Sequence, residues 1–138
     1  MLEGANVDYP RAPRLDKTTL RSGDSLHVAV DVTNTGAVAG DEVVQLYVRD
    51  DVASVTRPVK ELRGFRRVSV QPGQMTTVRF VLSDQDLAFY DATMRCVIEP
   101  GRFTVFAGSS SDAVREARFD LVTPSARPVR ISEACRSR

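Results

Sequence analysis

Five stretches of the chain alternate apolar and polar side chains with a period of two, the mark of a strand that buries one face. In Leu26-His27-Val28-Ala29-Val30-Asp31-Val32 every even position is aliphatic. Val43 to Arg49 sets Val44, Leu46 and Val48 on one side and Val43, Gln45, Tyr47 and Arg49 on the other. Thr76 to Leu82 turns Val78, Phe80 and Leu82 inward, Arg102 to Gly108 does the same with Phe103, Val105 and Ala107, and Arg115 to Val122 with Ala117, Phe119 and Leu121. Shorter strands are expected over 14–20, 61–69 and 95–99. Ser22-Gly23-Asp24, Asn34-Thr35-Gly36 with Gly40, Gln71-Pro72-Gly73 and Glu99-Pro100-Gly101 supply the turns between them. Seven or eight short strands at this spacing predict an all-β fold, a two-sheet β-sandwich. Only Ser83 to Tyr90 has helical character, with Ser83 or Asp84 as N-cap and Asp86 in the first turn, enough for a turn or two.

The pattern also divides the chain. Residues 1–13 hold Gly4, Pro10 and Pro13 without periodicity and read as a leader or linker. The sandwich is expected over 14–124. Beyond Pro124 the sequence SARPVRISEACRSR loses all periodicity and reads as an arginine-rich mobile tail over 125–138.

At 138 residues and 15.2 kDa the chain is long enough to fold around a core of its own. Its 19 basic and 18 acidic residues leave a net charge of +1, which argues against nucleic acid or another polyanion as a partner. No apolar run approaches the ~20 residues of a membrane span, so no membrane partner is expected. The opening MLEGANVDYPR has neither the basic nor the apolar region of a secretory signal.

Little chemistry is on offer. With His27 the single histidine, no multi-histidine metal site can be assembled. No cofactor motif is present. Cys96 and Cys135 lie 39 positions apart without a CxxC spacing; a disulfide between them has no support in the pattern, and Cys96 beside Ile98 reads as a small buried hydrophobe. The absence of Trp lowers the expectation of a sugar-stacking surface. Asp50 with Asp51, and Asp84 with Asp86 and Asp91, are the carboxylate groups that glycoside hydrolysis or calcium binding would need. Turn and capping chemistry is the expectation for them, as a solvated or salt-bridged edge is for Arg63, Arg66 and Arg67 and a surface or interface position for His27. One feature points outward. Val43, Tyr47, Val81 and Phe106 fall on the polar faces of their strands, and a contiguous apolar patch there would be a docking face, with self-association as one use of it.

The order of short motifs carries a resemblance. Val32-Thr33-Asn34-Thr35-Gly36, AGDEVVQLYV over 39–48, RPVKELRGF over 57–65, QPG at 71–73, DLAFYD over 86–91, EPG at 99–101 and FTVFAGSSSD over 103–112 follow one another. Together they resemble the immunoglobulin/fibronectin type III-like domain at the C-terminus of family 3 glycoside hydrolases, the β-glucosidases and β-xylosidases, over about residues 14–122. The motifs also have structural readings. Gly36 and Gly40 with Asn34 and Asp41 bracket a turn in which glycine accepts positive φ and the amide or carboxylate closes a local hydrogen bond. Pro58 starts an extended segment from which Lys60, Glu61, Leu62 and Phe65 enter a strand, Leu62 and Phe65 as anchors. Phe89 and Tyr90 are expected to lid an open end of the sandwich, and Pro100 with Gly101 to turn the chain. The sequence departs from the family pattern at Cys96, a Trp in many members.

The resemblance implies a non-catalytic accessory domain that braces the catalytic domains of a parent glycoside hydrolase acting on O-glycosyl bonds. It carries no catalytic residue onto this chain, because the family's nucleophile and acid/base belong to other domains. A free-standing module that binds a polysaccharide or a protein is the competing expectation.

Overall fold

A computed structural model describes residues 6–21, 23–51, 60–90, 96–110, 114–122 and 127–128, the side chains of 89–90 and 127–128 excepted. Its strands are β1 (Val7–Asp8), β2 (Arg14–Leu15), β3 (Thr19–Arg21), β4 (Ser25–Asn34), β5 (Gly40–Asp50), β6 (Glu61–Val70), β7 (Met75–Ser83), β8 (Phe89–Tyr90), β9 (Cys96–Ile98), β10 (Gly101–Gly108), β11 (Val114–Val122) and β12 (Arg127–Pro128). One sheet centres on β4, with β7 along one side and the short β1 and β2 along the other. The second runs β3-β11-β10-β5-β6, and β12-β9-β8 form a small third ribbon. The two main sheets are the predicted sandwich. The extra strands beyond seven or eight are two- and three-residue pieces too short to show a period.

The core is the set of inward positions read from the alternation. Leu26, Val28, Val30 and Val32 of β4 meet Val44, Leu46 and Val48 of β5, Val78, Phe80 and Leu82 of β7, Phe103, Val105 and Ala107 of β10, and Phe119 and Leu121 of β11 in one buried cluster. The rings of Phe103 and Phe119, partners across β10 and β11, stack with centres 5.5 Å apart. At roughly 1.5–3 kcal/mol for each large apolar side chain removed from water, this cluster is the main term holding the sheets together.

The helical turn expected within Ser83 to Tyr90 is a single 3-10 turn over Asp84–Leu87, with Ser83 as its N-cap and Asp86 in its first turn, and the chain returns to strand at β8. Leu87 and Ala88 are drawn into the core, and four residues leave no room for a longer helix before that happens. Strand pairing also runs past the expected limits of 14 and 124. Val7 and Asp8 pair with Asn34 and Thr33, Pro13 is buried, and Arg127 and Pro128 pair with Ile98 and Val97. Cys96 is buried as expected but is a disulfide-bonded half-cystine rather than a free thiol. The sequence holds one other cysteine, Cys135, which lies outside the described residues, as do Pro58 and Asp91. The lid expected of the Phe89 and Tyr90 side chains falls outside them too.

The Asn34-Thr35-Gly36 turn is built on a buried amide. Nδ2 of Asn34 donates to the carbonyls of Val38 at 2.8 Å and Val70 at 2.9 Å, while Oδ1 accepts from the N–H of Gly36 at 2.9 Å and of Asn6 at 3.3 Å. Positive φ occurs at Gly23, Gly73 and Gly101, not at Gly36 or Gly40. The Asn34 side chain closes this turn, so the glycines there need no left-handed backbone.

The segment ahead of β2 straps the open side of the sandwich. Tyr9 donates its hydroxyl to Glu42 of β5 at 3.1 Å, and its carbonyl accepts from Nε of Arg115 on β11 at 2.9 Å. Burial, then the Glu42 carboxylate, push the Tyr9 hydroxyl above its ordinary pKa. Farther along, Asp31 of β4 takes hydrogen bonds from Arg14 and from Thr77 Oγ1, the latter at 2.8 Å, and Arg11 Nε lies 3.2 Å away. With 1% of its surface exposed, Asp31 is a buried carboxylate that depends on those partners.

Candidate interaction surface

The four outward residues do not make one face. Tyr47 and Phe106 are direct partners across β5 and β10, and Val43 lies four residues along β5, so these three share the outer side of one sheet. Val81 pairs with His27 on the other sheet. Phe106 is also not exposed: Cζ of Arg49 sits 5.0 Å and Nζ of Lys60 4.7 Å from its ring centre, and only 4% of the residue reaches solvent. Alternation shows which face a residue occupies. It does not show that long neighbouring side chains will lie across it.

The exposed apolar strip lies on the adjoining strand. Leu62 and Phe65 of β6 are 48% and 67% exposed, against an expectation that they anchor into the core. Register is the reason. Phe65 pairs with Gln45 and Leu62 with Tyr47, both outward positions of β5, after an irregularity between Leu46 and Tyr47 that shifts the pairing by one residue. Gly64 takes the inward position opposite Leu46, where a Cβ would stand 3.2 Å from the Phe80 ring. Val43, 39% exposed, pairs with Arg67 and so lies diagonal to Phe65. Two cations border the strip, Lys60 over Phe106 and Arg67 paired to Asp41 at 2.8 Å, while Arg66, opposite the inward Val44, lies on the other face with its Cζ 5.9 Å from the centre of the Phe80 ring. Three arginines and a glycine within β6 were the signal that this is an edge strand with little to bury.

The other described motif residues, and the acids Asp51, Asp84 and Asp86, have partners within the fold. Gly40 opens β5 opposite Val70, and Asp41 accepts from Ser69 at 2.6 Å. Glu61 holds Arg63 at 2.7 Å. Pro100 is exposed before Gly101, whose φ of 140° turns the chain into β10. Asp51 accepts from Thr104 Oγ1 at 2.6 Å and Arg49 Nε at 2.8 Å. Asp84 accepts from the N–H of Gly23 at 3.0 Å, and Asp86 from the N–H of Ser83 at 2.8 Å. These carboxylates close turns and tie strand ends.

The chain has clear relatives. The model of the fibronectin type III-like domain matches residues 42–111. A β-xylosidase of Formosa agariphila is 48% identical over 101 residues, 73% of this chain and 14% of the relative. A periplasmic β-glucosidase of Salmonella typhimurium is 38% identical over 108 residues, 78% of this chain and again 14% of the relative. Among solved structures, a β-glucosidase of Erythrobacter marinus superposes with a TM-score of 0.78 at 41% identity, over 86% of this chain and 16% of its own. A β-glucosidase of Listeria innocua in complex with gluconolactone gives a TM-score of 0.76 at 37% identity, with the same two coverages. The chain thus spans about one-seventh of the length of the curated relatives it matches.

Proposed function

The chain belongs to the fibronectin type III-like domain family, in the form found as the C-terminal module of family 3 β-glucosidases and β-xylosidases, and we propose that it is a non-catalytic accessory domain that packs on the catalytic part of such an enzyme. In the relatives this domain is one part of a much larger protein. The observation that carries the reading is the strip of Leu62, Phe65 and Val43 on the outer side of β5 and β6. Two large side chains on an edge strand, one about half and the other two-thirds exposed, are costly unless something covers them.

The border of the strip says what kind of surface covers it. Lys60 and Arg67 would face their own images if two copies met through this strip, so an apolar surface with an acidic rim fits better than self-association. Hydrolysis in the parent enzyme would be the work of other domains. The test is direct: the purified chain should release no chromophore from aryl β-glucosides or aryl β-xylosides, and turnover that persists through rigorous purification contradicts the non-catalytic reading.

A further inference from the structure

The outer face of the other sheet carries a groove of about 350 Å³, walled by Arg14, Leu15, Asp16, His27 and Arg79 around Ala29. Pairing of β2 and β7 with β4 sets Arg14, Ala29 and Arg79 abreast. Paired residues project to the same side of a sheet, so two guanidinium groups flank a methyl floor. One row along, His27 stands opposite Val81, and its N–H donates to Asp16 Oδ1 at 2.9 Å.

We propose that this groove binds the carboxylate of an acidic sugar, a uronic acid residue. The charges leave room for one more anion. Arg11, Arg14, Lys17 and Arg79 gather here against Asp16 and Asp31. Asp31 is already engaged by Arg14, Arg11 and Thr77. Arg79, by contrast, has no acceptor for its guanidinium among the described residues. Arg14 spends one nitrogen on Asp31, whereas a guanidinium carries five N–H donors. Two such forks on either side of a small floor suit a planar carboxylate, which guanidinium binds through parallel hydrogen bonds.

The shape selects the rest of the ligand. The volume lies at the small end of pockets that hold small molecules, enough for one pyranose ring and too short for a peptide strand or helix. The exposed His27 ring offers apolar surface to the C–H face of a sugar, and Asp16 an acceptor to its hydroxyls. This inference is independent of the docking strip, which lies on the opposite sheet.

The experiment is an NMR titration of the ¹⁵N-labelled 138-residue chain with sodium glucuronate, and separately with glucose, sodium acetate and N-acetylglutamate. Glucuronate should give saturable shifts at the amides of Arg14, His27, Ala29 and Arg79, with glucose giving none and acetate binding more weakly. Arg79→Gln should weaken glucuronate binding about tenfold, the loss expected for a hydrogen bond to a charged group, with an unchanged melting temperature because Arg79 is exposed. The absence of saturable shifts with glucuronate overturns the proposal, as does an Arg79→Gln variant that binds as well as the wild type. Equal binding of N-acetylglutamate and glucuronate also overturns it, since the groove would then read a protein carboxylate and not a sugar.

Discussion

Lys60 and Phe106 meet across the outer face of the larger sheet, with the ammonium 4.7 Å from the ring centre. They come from two separate motifs, RPVKELRGF and FTVFAG, and the contact joins the entry to β6 to the middle of β10. Arg49 lies against the same ring at 5.0 Å. A partly desolvated cation on an aromatic face contributes about 0.5–1 kcal/mol. Lys60→Gln should therefore lower stability in urea unfolding by about that amount in the wild type and by much less in a Phe106→Leu background. A double-mutant cycle with no coupling contradicts a stabilising contact.

Asn34 is expected to tolerate no substitution by aspartate, although both residues suit turns. Its amide nitrogen gives two hydrogen bonds to carbonyls inside the protein, and a carboxylate has no donor with which to replace them. Asn34→Asp should cost more than Asn34→Ala, which itself should lose about 2–3 kcal/mol through unsatisfied groups. Equal unfolding midpoints for Asn34→Asp and wild type would show that the amide is not the closing element of this turn.

Acid stability should depend on Asp31. The hydrogen bond from Arg14, then those from Thr77 and the charges of Arg14 and Arg11, outweigh burial and hold its carboxyl below the ordinary aspartate range. A carboxyl whose pKa is lower in the folded state stabilises the fold above its unfolded value, about 3.9. That stability is lost as pH falls from there through the lower folded value. Thermal melting between pH 7 and 2 should show an acid limb that Asp31→Asn flattens, while the variant is less stable by about 2 kcal/mol at neutral pH because two arginines lose their anion. Asp41, also held low by Ser69 and Arg67 but only half-buried and screened by solvent, should flatten the acid limb far less when made Asn. An acid limb identical in Asp31→Asn and wild type contradicts the assignment.

Strand identity, core and sandwich were legible because each long strand buries one face, and a period of two survives even where Ala29 and Asp31 interrupt the outward side. What could not be read depends on neighbours distant in sequence. Phe106 and Leu62 occupy similar outward positions, yet one is roofed by Arg49 and Lys60 and the other is bare, a difference decided by which side chains the register brings alongside. The pieces of strand at Val7–Asp8 and Arg127–Pro128 are too short for any period, and only their partners on β4 and β9 define them. Asp31 looked like an ordinary polar position in an alternating strand. That it is buried follows from the strap of residues laid over it.

The central claim is that the strip on β6 packs on a catalytic partner. The most direct measurement places this chain in the Formosa agariphila β-xylosidase in place of the matching segment and compares wild type with Leu62→Ser/Phe65→Ser. In the isolated chain the double variant should melt within about 0.5 kcal/mol of wild type, as exposed positions do. In the chimera, the wild-type module should preserve xylosidase activity, and the double variant should lower the melting temperature and the activity together. A chimera indifferent to both substitutions contradicts the account.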